Sequence, residues 1–233
     1  MIALQASIGA LNDLHDAPVD AGRKPGKPIP AGLVDLPTAR AVAVGAAVVG
    51  LGLAVSVDVR VAALAVVVLL IGYGYDLLAK GTAWSWLPFA IGIPILPVYG
   101  WFGAAGDVPS FFAVLIPMTV LAGAALAIAN ARADAERDRS AGIVSVATRF
   151  GLEGSWRLQA GLWLAALLAG LGWMALRGVE PGRGAAVVVA AGLIGVVVAW
   201  SRDVPAAGRE RAWELQAAGA ALALMAWLAA VIR

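Results

Sequence analysis

The chain alternates long apolar runs with short polar segments, and that rhythm predicts its elements. Seven runs come close to the ~20 residues that an α-helix needs to cross a bilayer. They are Thr38–Val57, Val61–Leu78, Trp84–Ala104, Pro109–Ala129, Trp156–Leu176, Gly184–Trp200 and Trp213–Ile232. An eighth, shorter run, Met1–Leu11, would rise only ~16 Å as a helix, about half the hydrocarbon core. It is expected to be a partial helix, either because the chain starts mid-helix or because its true start lies upstream. With no basic region before it and an acidic segment directly after it, it does not read as a signal peptide. The two longest polar segments, Asn12–Pro37 and Asn130–Ser155, read as loops too short to form a soluble domain. Residues 1–233 are therefore expected to form one integral-membrane domain, truncated at its N-terminus.

Composition agrees with this pattern. At 61% hydrophobic and 14% charged, the chain lies outside the range of soluble globular domains. Long apolar stretches can cross lipid only with their backbone groups satisfied internally, so the expected class is an all-α, polytopic transmembrane bundle. The absence of cysteine excludes disulfides, thiolate metal sites and cysteine nucleophiles. Alternating the spans from the first acidic segment puts thirteen of the Lys and Arg residues on one side and four on the other. The richer side is expected to face the cytosol, in a bacterial cytoplasmic membrane. Trp84, Trp101, Trp156, Trp173, Trp200 and Trp213 fall near span ends, where interfacial anchors belong. Pro88, Pro94 and Pro97 share one span and are expected to bend it around a cavity.

The candidate chemistry lies in the polar segments. Asn12, Asp16 and Asp20 in NDLHDAPVD are spaced i, i+4, i+8, and Asn130, Asp134 and Asp138 in NARADAERD repeat that spacing. A helix brings such positions onto one face, so each copy would present an amide and two carboxylates as a patch. Asp13 adds a third carboxylate to the first copy. Oxygen donors of this kind suit hard divalent cations, and Mg²⁺ typically takes one or two carboxylates plus substrate phosphate oxygens. With four spans between the copies, both fall on the cytosolic side. They are expected to face each other across a central cavity and hold a diphosphate through bridging Mg²⁺ ions. Arg23 and Lys27 after the first copy, and Arg139 after the second, are candidate phosphate ligands, together with the amides of Asn12 and Asn130. Tyr75, Asp76 and Lys80 form a third cluster at a cytosolic span end, from which Tyr75 and Lys80 are taken as site residues. Glu136 lies about 200° around the helix from Asp134 and is left out of the metal set. His15 lies off the Asn12–Asp16–Asp20 face and is read as a loop residue.

NDLHDAPVD with its basic, Pro-rich sequel resembles the first signature of the UbiA superfamily of intramembrane prenyltransferases, NDxxDxxxD. DAERD running into GIVSVATRFG resembles the second, and Tyr75 to Lys80 resembles the family's tyrosine-and-lysine element. The resemblance covers essentially the whole chain in order. It implies helices around a central cavity open to the cytosol, nine of them in the family, with the first and part of the second missing here. It also implies Mg²⁺-dependent transfer of a prenyl group from a prenyl diphosphate to a small or lipidic acceptor. Asp13, Asp16, Asp20, Asp134 and Asp138 would carry the metal. Ala131 departs from the pattern, since many relatives have another Asp there. The competing expectations are an inactive or truncated member of the family and a transporter with an acidic cation site. For the latter, carboxylates nearer mid-membrane would be expected. A phospholipid-headgroup transferase would carry a D-G-x2-A-R run, which is absent. No residue pattern selects the acceptor, the prenyl chain length or an oligomeric state.

Overall fold

The structure, a computed structural model, describes residues 1–21 and 26–232. Among these residues every regular element is helical. In chain order the elements are α1 (Ile2–Asp20), α2 (Leu36–Val57), α3 (Val59–Gly74), a π-helical turn (Tyr75–Ala79), α4 (Trp86–Ala105), α5 (Phe112–Ala133), α6 (Ala135–Ser140), α7 (Val146–Leu176), α8 (Pro181–Trp200) and α9 (Ala206–Val231). Seven segments are long and apolar enough to cross a membrane: α2, α3 with the π turn, α4, α5, α7, α8 and α9. They correspond one to one with the seven runs in the sequence. The protein is an integral, multi-pass membrane protein.

Both polar segments are more helical than the sequence pattern suggests. The first does not begin a loop at Asn12, because α1 continues through the motif to Asp20. His15 is thus an exposed helical residue and not part of a loop. The second contains α6 and the first turns of α7, which starts at Val146 and passes a non-helical Gly151 with φ 72°. Amphipathic spacing of acidic side chains is compatible with a helix, but hydropathy counting scores those residues only as polar.

Local chemistry sets the other boundaries. Asp35 caps α2, its Oδ1 accepting from the Thr38 amide at 2.8 Å. Asp58 ends α2 and caps α3, accepting from the Arg60 amide at 2.7 Å. Ser145 and Thr148 form a reciprocal capping box at the start of α7.

The chain divides into two compact units. The first holds residues 1–80 and 95–108, and the second holds residues 81–94 and 109–233. The chain passes from one to the other three times, once inside α4 between Pro94 and Ile95. In the first unit α1 packs on α2 and α3 around Leu4, Ala54, Val61, Ala65, Val68 and Leu69. Ser7 pins α1 to both neighbours, through the Ala43 carbonyl at 2.5 Å and the Tyr73 hydroxyl at 2.6 Å. In the second unit Ala125, Trp163, Ile194 and Val198 form a core drawn from α5, α7 and α8. Valine and leucine side chains such as Val44, Val48, Leu53, Leu70, Val189, Leu193 and Val196 stay exposed, as a surface against lipid tails requires.

Without a hydrophobic gain between helices in lipid, close backbone approach supplies much of the cohesion. At Gly50 of α2 a Cβ would lie 2.6 Å from Leu4 Cδ2 and 3.2 Å from the Leu4 backbone nitrogen. Gly50→Leu should therefore push α1 off α2 and destabilise the protein by about 1–3 kcal/mol. Gly52→Leu, on an exposed position with open space around it, should leave thermal unfolding in detergent unchanged.

Candidate metal and diphosphate site

In the first unit the acidic motif forms the last turns of α1. Lys27, in the turn beyond the helix, places its ammonium among three of the carboxylates. Nζ lies 2.9 Å from Asp13 Oδ1, 3.4 Å from Asp16 Oδ2 and 2.9 Å from Asp20 Oδ2. Partial burial opposes the lysine's charge, but hydrogen bonds to Asp20 and Asp13 and the nearby carboxylate charges outweigh it and raise its pKa. Lys80 reaches the same cluster, with Nζ 2.5 Å from Asp16 Oδ2. The opening residue of the motif is held as well. Asn12 Nδ2 donates to Asp76 Oδ1 at 2.8 Å, and Asp76 is 2% exposed.

The π turn explains how α3 delivers Asp76 and Lys80 to this place. Its Lys80 amide bonds back to the Tyr75 carbonyl at 2.9 Å, an i→i+5 closure. Such a closure sets residues five apart roughly one above the other, which ordinary α geometry would not do for Tyr75 and Lys80. Tyr75 is half-buried beside them. Arg23 lies outside the described residues.

In the second unit Asn130 lies near the end of α5, and Asp134 forms the junction between α5 and α6 with φ −91° and ψ −1°. Asp138 follows one turn later, and its amide bonds to the Asp134 carbonyl at 2.8 Å. Arg139 is exposed on α6. Asp134 pairs with Arg137 three residues on. Glu136 turns elsewhere and pairs with Arg209 of α9. Desolvation would raise the Glu136 pKa, but the bond from Arg209 holds it below the ordinary glutamate value.

Two residues the motif reading passed over organise this end of the unit. Arg132, inside the second motif, is 1% exposed. Its guanidinium donates to Gln159 Oε1 at 3.1 Å, Ser201 Oγ at 3.2 Å, the Ser201 carbonyl at 3.0 Å and the Leu152 carbonyl at 3.4 Å. Gln159 Nε2 donates in turn to Gln216 Oε1 at 2.7 Å, which also accepts from Trp163 Nε1 at 2.8 Å. Arg209 of α9 is 5% exposed. The available signal was weak: an Arg or Gln in an apolar context needs a partner, but sequence spacing does not say which. Asp76 was legible as a member of a cluster, whereas its bond to Asn12 was not.

The donors are all hard oxygens, which suits Mg²⁺ or Ca²⁺. Among the described residues, no three Asp, Glu or His side chains are gathered closely enough to hold a metal ion by themselves. Mg²⁺ does not need such a cage when phosphate oxygens complete its shell. The three carboxylates that converge on the Lys27 ammonium are donors of the kind such an ion takes, so the chemistry of the donor set fits.

The model of the UbiA prenyltransferase family matches residues 1–215. Three solved structures share the fold at low identity. One comes from work on the biosynthesis of digeranylgeranylglyceryl phosphate synthase in membranes (TM-score 0.80, 18% identity, 99% of this chain and 82% of that one). Another is an apo UbiA homologue from Aeropyrum pernix K1 (0.75, 18%, 97% and 84%). The third is a UbiA homologue from Archaeoglobus fulgidus bound to GPP and Mg²⁺ (0.68, 17%, 96% and 83%). No curated protein matches the chain.

The buried and exposed arginines of the second motif should differ sharply on substitution. Arg132→Ala strands several buried acceptors and should cost about 3 kcal/mol. Arg137→Ala removes a largely exposed pair and should cost less than about 1 kcal/mol. Thermal unfolding of the two variants in the same detergent measures the difference.

Proposed function

The chain belongs to the UbiA prenyltransferase family, and on that premise we propose that it transfers a prenyl group from a prenyl diphosphate to an acceptor within the membrane. The observation that carries this reading is the convergence of Asp13, Asp16 and Asp20 on the Lys27 ammonium, with Lys80 on Asp16. Such an arrangement pairs carboxylates able to hold divalent cations with ammonium groups able to take up a phosphate anion. The Archaeoglobus homologue's bound GPP and Mg²⁺ support the same substrate and cation here.

In this reading Asp13, Asp16 and Asp20 would hold Mg²⁺ in the first unit, and Asp134 and Asp138 would do so in the second. When bound, the cation offsets the negative charge that builds on the departing diphosphate. Lys27, Lys80, Arg23 and Arg139 bind the phosphate oxygens, and the Lys27 ammonium stays charged because Asp13, Asp16 and Asp20 surround it. Asn12 and Asn130 orient the anion with their amides. Asp76 holds the Asn12 side chain, and Tyr75 lies beside Lys80. The allylic C–O bond breaks, with both electrons leaving on the diphosphate oxygen. The acceptor's nucleophilic atom then bonds to the allylic carbon and releases its proton. An apolar helical surround keeps water from quenching the cationic carbon. The positive-inside bias of the sequence would place this chemistry at the cytosolic face.

The test is diphosphate release from geranyl and longer prenyl diphosphates by the protein in membranes, with a lipid extract as acceptor pool. Release should require Mg²⁺ and disappear with EDTA. Asp16→Asn and Asp134→Asn should each lower it by on the order of 10²-fold while membrane insertion persists. Near-normal release from both variants would overturn the metal assignment. Cation flux through reconstituted vesicles without diphosphate release would favour a transporter instead.

A further inference from the structure

Within the second unit, the planar guanidinium of Arg209 spans the break between α5 and α6. Its Nε donates to the Arg132 carbonyl at 2.8 Å, in the last turn of α5. Its Nη2 donates to Glu136 Oε1 at 2.5 Å, and also to Oε2, in the first turn of α6. Its Nη1 holds the Val204 carbonyl at 2.9 Å, which ties the fork to the segment before α9. Residues 132 and 136 flank Asp134 by two positions on each side, so both shoulders of the junction are gripped by one rigid group. The Arg132 side chain is itself anchored to Gln159, Ser201 and Leu152. Ala135, between Asp134 and Glu136, is fully buried.

The junction needs such a grip. Asp134 ends one helix and begins the next without a side-chain cap on α6. A six-residue helix is too short to hold its own direction. Yet α6 carries Asp138 as well as Arg137, the residue with which Asp134 pairs.

We propose that Arg209 and Glu136 are positioning residues for Asp134 and Asp138, setting the direction of both carboxylates by clamping the α5–α6 break. This rests on the reading of those aspartates as metal ligands. It assigns Glu136 a role outside the metal shell, through its arginine. The guanidinium suits this task, because its separate N–H groups lie in one rigid plane and reach a carbonyl on one helix and a carboxylate on the next in a fixed geometry. A lysine would supply a single flexible point charge. Outer groups that orient metal ligands usually matter at roughly 10- to 100-fold in metal affinity.

The experiment uses the intact protein in nanodiscs, with Mn²⁺ as a paramagnetic probe for the Mg²⁺ site. Glu136→Gln and Arg209→Lys are compared with the wild type in three measurements. These are Mn²⁺ half-saturation by electron paramagnetic resonance with inorganic diphosphate present, amide hydrogen exchange across residues 134–142, and the Mg²⁺ dependence of diphosphate release. Glu136→Gln leaves Arg209 bonded to two backbone carbonyls, so the fold should hold. Each variant should raise Mn²⁺ half-saturation by roughly 10-fold and speed exchange only around α6, with an unchanged thermal midpoint in Glu136→Gln. Mn²⁺ binding unchanged in both variants overturns the proposal, whatever happens to exchange. Shifted Mn²⁺ binding with no diphosphate release even from the wild type overturns the prenyltransferase reading and leaves the clamp standing. A wild type that binds no Mn²⁺ overturns both.

Discussion

A charged group carried by an apolar helix bundle has to find its counter-charge or its hydrogen bonds within the chain, since lipid offers neither. That constraint organises the described structure at both acidic ends. The first unit meets it with ion pairs: Lys27 and Lys80 lie among the α1 carboxylates. The second meets it largely with neutral acceptors. Arg132 is ringed by a glutamine, a serine and backbone carbonyls, while Arg209 combines two carbonyls with Glu136. Most of these contacts join separate elements of the chain, so the polar groups fix how the helix ends meet.

The rest of the fold follows from what the apolar parts lack. Lipid-facing and inward-facing residues are equally apolar, so hydrophobicity alone does not choose which face of a helix points inward. Small residues make that choice where backbones touch, as Gly50 does against Leu4, and single polar side chains add to it, as Ser7 does between α2 and α3. The same division of labour serves the proposed chemistry. Neighbours hold the elements that carry the proposed ligands: Asn12 at the start of the first motif by Asp76, and the Asp134 junction by Arg209.

Much of this was legible along the chain. Hydropathy and span length located all seven membrane helices, because lipid thickness sets a strict requirement that composition reveals directly. The repeated Asn-x3-Asp-x3-Asp spacing picked out the two acidic elements, and the signatures pointed to the family whose model matches residues 1–215. Helix ends were less legible. The acidic stretch Asn12–Asp20 reads as a loop by polarity and is helical in the structure. The start of α7 was placed ten residues late, since its first turns are polar and pass through Gly151. Arg23, expected at the site, lies outside the described residues.

What the sequence determined by itself is the class of molecule and the identity of its acidic elements. Both depend on local quantities: apolar length, charge asymmetry and short-range spacing. Only the tertiary structure decided that Lys27 lies among three aspartates, that a π turn delivers Asp76 and Lys80 to the end of α1, and that Arg209 bridges two helices around Asp134. These contacts join residues separated by between 7 and 77 positions, as Lys27–Asp20 and Arg209–Arg132 illustrate. A long flexible side chain carries no record of its partner, because the same lysine or arginine can satisfy its charge in many places. The packing of the backbone selects the one that is formed.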